Sequence, residues 1–190
     1  MPISFVSSTR SPTSYPAAST NTSTCVITKP TGTVAGDVMV VFLQAGNNAT
    51  FSYPTGWREV SRYQNTAASM TSGTAYKVVG ASETTTYAFA DNLADVTPLC
   101  GTILTYRGVA IDDPILDPVN AHTESDTGTT GTAAVLAPAA TSTADGWYVW
   151  FRAGKISTTP PPENSFTISG GTAVLRQATS EGWHVKRLSD

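Results

Sequence analysis

The stretch Val26–Leu43, VITKPTGTVAGDVMVVFL, constrains the fold more than any other part of the chain. Val38 to Leu43 is an unbroken apolar run, bounded upstream by Thr31-Gly32 and Gly36-Asp37. A short run rich in Val, Phe and Met between glycines reads as a strand and not as a helix. With Cys25–Thr28 before it, the stretch predicts two strands joined by a tight connection. The rest of the chain repeats this grammar of short β-rich runs punctuated by Gly, Pro, Asn or Thr.

Taken in order, Ile3–Ser7 predicts a first strand, and residues 8–22 a surface arm or loop of Ser, Thr, Pro and Ala. Strands are expected at Cys25–Thr28, Val38–Gln44, Trp57–Tyr63, Thr74–Val79 and Thr84–Ala90. Tyr87 and Phe89 fall on one face of the last of these, because alternate residues share a face. Leu99–Tyr106 reads as a buried strand closed by Arg107-Gly108. Gly146–Ala153, with Trp147, Tyr148, Trp150 and Phe151, is the most aromatic candidate. Phe166–Ser169 and Thr172–Arg176 flank Gly170-Gly171, a two-residue hairpin signal, because glycine tolerates the positive φ of such turns. Trp183–Leu188 is the last candidate. Residues 120–134 are mostly Thr and Gly and predict extended backbone.

No window shows a convincing helical period. About ten or more short strands with regular turns predict an all-β fold: a single antiparallel β-sandwich spanning 1–190. At 190 residues the chain can bury a sizeable core, roughly 70% of its unfolded surface. In a two-sheet fold only alternate residues face the core. Val38–Leu43 and Trp147–Phe151 are apolar on both faces, so something must cover their outer faces. The 8–22 arm and a neighbouring copy of the chain are the two candidates, and the second predicts a homo-oligomer.

Charged residues make up 13% of the chain and the net charge is −3. No basic stretch is long enough to follow a phosphate backbone, which argues against nucleic acid as a partner. His184, Lys186 and Arg187 read as a solvated strand face. No apolar run approaches the ~18 residues of a membrane span. Met1-Pro2 and the Ser/Thr-rich segment after it lack the pattern of a secretory signal, so a cytoplasmic site of synthesis is expected. Cys25 and Cys100 both sit in apolar runs and read as buried free thiols, with a single bridge between their strands as the alternative.

The search for chemistry yields no catalytic residue, no cofactor-binding residue and no metal ligand set. His122 and His184 do not lie at metal-ligand spacing from a cysteine or from each other. HExxH, GxSxG, Walker A and GxGxxG patterns are missing from the sequence. Asp112, Asp113 and Asp117 could contribute oxygens to Ca²⁺, but Asp113-Pro114 and Asp117-Pro118 are ordinary turn signals. Glu59, Glu83, Glu124, Glu163 and Glu181 are scattered, and paired carboxylates for glycoside cleavage meet in space and not in sequence. Among the aromatics, Tyr53, Trp57 and Trp183 are the candidates for ligand or partner contact. Trp57 follows Pro54-Thr55-Gly56 and Trp183 lies near the end, so neither is expected to be fully buried.

Five landmarks in order resemble a β-sandwich module of tailed-bacteriophage virion proteins. They are Lys29-Pro30-Thr31-Gly32 with Gly36-Asp37-Val38-Met39-Val40-Val41, Pro54-Thr55-Gly56-Trp57, Tyr76-Lys77-Val78-Val79, Gly80-Ala81-Ser82-Glu83, and Ile103–Val109 with Pro114-Ile115. The resemblance covers roughly residues 25–155. It implies a jelly-roll-like sandwich in head decoration or minor tail proteins, and it carries over no catalytic residue. In this sequence Gly36 and Gly56 read as turn residues, Asp37 as a cap at the strand start, and Trp57 and Tyr106 as packing residues. Members of this kind close with a further apolar strand after the position of Trp183, whereas this sequence stops at Leu188-Ser189-Asp190. Either the final strand is missing, leaving an open edge that strand addition by a neighbouring chain could fill, or the fold closes differently.

The expectation is a non-enzymatic structural protein of a virion, made in the host cytoplasm. Its expected partners are copies of itself and other virion proteins, such as the major capsid protein or tail proteins. A carbohydrate- or receptor-binding module using host surface glycans is the alternative, and a glycan-cleaving enzyme is a third reading.

Overall fold

A computed structural model describes residues 3–11, 23–46, 48–65, 70–93, 99–112, 114, 149–152, 172–179 and 183–189. The described residues contain strands and no helix, and all strand pairing is antiparallel. The strands are β1 (Ser4–Ser11), β2 (Thr24–Thr28), β3 (Val38–Ala45), β4 (Phe51–Ser52), β5 (Arg58–Asn65), β6 (Met70–Val78), β7 (Thr86–Asp91), β8 (Leu99–Arg107), β9 (Val149–Arg152), β10 (Thr172–Thr179) and β11 (Trp183–Ser189). They form a five-stranded sheet in the order β1-β8-β3-β6-β5 and two three-stranded sheets, β2-β7-β4 and β10-β11-β9.

The opening stretch is two strands, as its pattern indicates, but they do not pair. β2 joins β7, whereas β3 lies between β6 and β8. The connection 29–37 therefore passes from one sheet to the other. Strand propensity marks where a strand lies, and the partner is chosen by packing between residues far apart in sequence.

The alternation within each strand explains its place. β2 and β7 alternate exposed and buried, with Cys25, Ile27, Tyr87 and Phe89 inward. This is the pattern of a sheet with one solvated face. β3 and β8 are buried at nearly every position. Their inward residues Met39, Val41, Leu43, Leu99 and Ile103 meet Cys25, Ile27, Phe51, Tyr87 and Phe89 in one core cluster between the two sheets. Gly101 faces this core, and a Cβ there would lie 2.6 Å from Leu43 Cδ2 and 3.0 Å from Ile27 Cδ1. The sheets approach closely at this point because the glycine leaves room.

The outer face of the same strands is also covered. Val38, Val40, Leu104 and Tyr106 form a second buried cluster, with Ile3, Phe5, Tyr76, Val78, Val109 and Val149 packed against it. Phe5 meets Tyr106 edge to face, with ring centroids 5.8 Å apart. Leu104 is 0% exposed within the single chain. Val149, on β9, joins this face. A neighbouring copy is therefore not needed to bury it, and the doubly apolar β3 gives no argument for an oligomer.

Several boundaries differ from the expectations. β1 runs on to Ser11, so residues 8–11 are strand and not arm; the rest of the expected arm, 12–22, lies outside the described residues. Its Ser7 and Thr9 hydroxyls, on the face turned towards the other sheet, donate to the carbonyls of Thr31 and Thr28, which fastens β1 to the end of β2. β6 begins at Met70, earlier than its apolar pattern shows, because Thr71 and Ser72 are polar yet buried. Thr71 accepts the Ala49 N–H through its hydroxyl at 2.8 Å, which satisfies a polar group inside the protein. β10 pairs with β11 and starts where the Gly170-Gly171 hairpin was expected; Phe166–Ser169 and the glycines lie outside the described residues. The extended stretch 120–134 lies outside them too.

Candidate functional site

The landmarks of the resemblance converge at one end of the five-stranded sheet. β3 starts there, and β6 and β8 end there, so the connections 29–37, 53–57, 79–85 and the exit from β8 are neighbours. Two charged clusters fasten them.

The first is built on Asp37. Its side chain is 2% exposed. Arg107 grips it with both arms of the fork, Nε to Oδ1 at 2.8 Å and Nη2 to Oδ2 at 2.8 Å. The Val34 N–H donates to Oδ2 at 2.9 Å, and Arg107 Nη2 also donates to the Gly32 carbonyl. Thr33 adds a hydroxyl contact to Thr105 at 2.9 Å. Burial opposes the charge on Asp37, but the hydrogen bonds from Arg107 and Val34 and the guanidinium charge outweigh it and hold the carboxyl below its ordinary range. Asp37 caps the turn before β3, as its place after Gly36 suggests. Its union with Arg107, 70 positions away, has no local signal.

The second cluster is built on Glu83. Gly80 N–H donates to Oε1 at 2.9 Å and the Tyr87 hydroxyl to Oε2 at 2.9 Å. Lys77 Nζ lies 3.1 Å from Oε2 and donates to the Thr55 carbonyl at 3.1 Å. It also sits 5.7 Å from the centroid of the Tyr87 ring. Burial works against the Glu83 charge, and the Gly80, Tyr87 and Lys77 contacts outweigh it, so its carboxyl titrates below the ordinary value. Burial first and the Glu83 carboxylate second push the Tyr87 hydroxyl up. Gly56 has φ 87°, and a Cβ there would lie 3.0 Å from Lys77 Nζ. That turn therefore needs glycine for its conformation, and a larger residue would also crowd the Lys77 ammonium.

Chemically, these carboxylates are occupied. Each oxygen of Asp37 and Glu83 accepts at least one donor, and each charge is stabilised. A general base works best with a pKa near the operating pH, and these two are shifted the other way. Glu59 is exposed on β5 and Asp112 is exposed after β8. Among the described residues, no three His, Cys, Asp or Glu side chains lie together as a metal site. Asp113, Asp117, His122, Glu124, Glu163 and Glu181 lie outside the described residues.

The candidate contact aromatics separate. Trp57 is buried at 8% exposure, contrary to the expectation from its place after a turn. It packs edge to face on Tyr87, 5.4 Å between centroids, and on Phe89, 5.2 Å. The turn 54–57 points inward because β4 and β5 belong to different sheets, so the residue leading into β5 drops between them. Among the described residues, the buried Trp57 indole N–H has no hydrogen-bond partner. Its ring is thus core, not a platform for a sugar. Tyr53 is half-buried and meets Phe51 and Phe89 edge to face. Burial, and then the nearby Glu59 carboxylate, push its hydroxyl up, with Arg62 opposing. Trp183 is the first residue of β11; its side chain lies outside the described residues.

Cys25 and Cys100 are both buried, and no disulfide joins them. Cys25 points into the core between the sheets. Cys100 alternates with Leu99 and Gly101, which face that core, so it projects from the opposite face of the five-stranded sheet. This parity excludes the bridge. Burial raises the Cys25 thiol to about 12, against a lowering contribution from the Ser11 contact.

Comparison with protein-family models, with curated proteins and with solved structures finds no match to this chain.

Proposed function

We propose that this chain is a non-enzymatic structural protein of a tailed-phage virion. It would be a surface-exposed accessory component, either a head decoration protein or a minor tail protein. On this reading the fold is a jelly-roll-like antiparallel sandwich, made in the host cytoplasm and carried on the particle. Its partners are the major capsid protein or tail proteins and copies of itself.

One observation carries the reading: the landmarks of the resemblance interlock. Asp37 is held by Arg107, Lys77 reaches both Thr55 and Glu83, and Trp57 stacks against Tyr87. Segments far apart in sequence that depend on one another in space behave as a single module. The same contacts commit both buried carboxylates to holding turns, which suits a mechanical role. The outer face of β2, β7 and β4 presents Ser52, Thr24, Val26, Thr28, Thr86 and Ala88 without a charge. Such a face meets a neighbour without stripping water from an ion.

Antibody labelling of intact virions from the source, viewed by electron microscopy, tests the proposal. Label over the head supports decoration, and label at the tail supports a minor tail component. Particles that carry no label, while the protein is plentiful in the lysate, refute the virion reading.

A further inference from the structure

We draw no further inference here: the strongest candidate, the exposed uncharged outer face of β2, β7 and β4 around Val26, carries none because nothing in the structure shows what covers it.

Discussion

Removing either partner of the Asp37–Arg107 pair should not cost the same. Arg107 is 43% exposed and Asp37 2%. In Asp37→Ala the freed guanidinium turns to water and keeps its bond to Gly32. In Arg107→Ala the carboxylate stays inside with the Val34 N–H alone. Hydrogen bonds to a charged group are worth about 1.5–3 kcal/mol each. Arg107 is partly solvated, so screening reduces what its two arms contribute. Arg107→Ala is expected to be the more costly single change, because it strands a buried charge. Asp37→Ala is expected to cost about 2 kcal/mol, and the double variant no more than Arg107→Ala alone, since it strands nothing. Urea denaturation monitored by circular dichroism and tryptophan emission measures all three. Equal single costs would refute the asymmetry, and a double cost equal to the sum of the two singles would refute the claim that this pair is one coupled clamp.

The same clamps set an acid limit. Asp37 and Glu83 both titrate below their ordinary values of 3.8 and 4.5. Their stabilisation is complete above those values and is lost as pH falls through the folded-state values. Stability should be level near neutrality and fall below about pH 4.5, and Asp37→Asn should flatten the decline; an unchanged slope in denaturation midpoints against pH would contradict this. Trp57→Phe should cost less than about 1.5 kcal/mol in thermal melts, because it also removes an unpartnered N–H, whereas Trp57→Ala should cost about 3–5 kcal/mol. Gly101→Ala should destabilise by about 1–3 kcal/mol through overpacking against Leu43 and Ile27, and a neutral result in the same melts would mean the sheets are farther apart. Both thiols should react with a disulfide reagent slowly in native protein and rapidly in urea; an intramolecular bridge found by mass spectrometry would overturn the assignment of Cys100 to the opposite face.

The sequence by itself determined the local grammar. The apolar runs at Val38–Leu43 and Leu99–Tyr106 specify buried strands, and the alternation of Tyr87 with Phe89 specifies a strand with one face inward. Glycine at 36 and 56 specifies turns that other residues enter with strain, and φ is 86° and 87° there. These properties rest on neighbours one to four positions away, so a linear string contains them. Only the tertiary structure decided that β2 and β3 part company, that Trp57 turns inward, that the outer face of β3 meets Val149, and that Asp37 finds Arg107. The start of β6 at Met70 was hidden for the same reason, because the buried Thr71 hydroxyl is satisfied by the distant Ala49 N–H. Each of these outcomes is fixed by which surfaces exclude water together and which buried charges find partners. The residues involved lie tens of positions apart, where hydrophobic pattern and turn chemistry carry no signal.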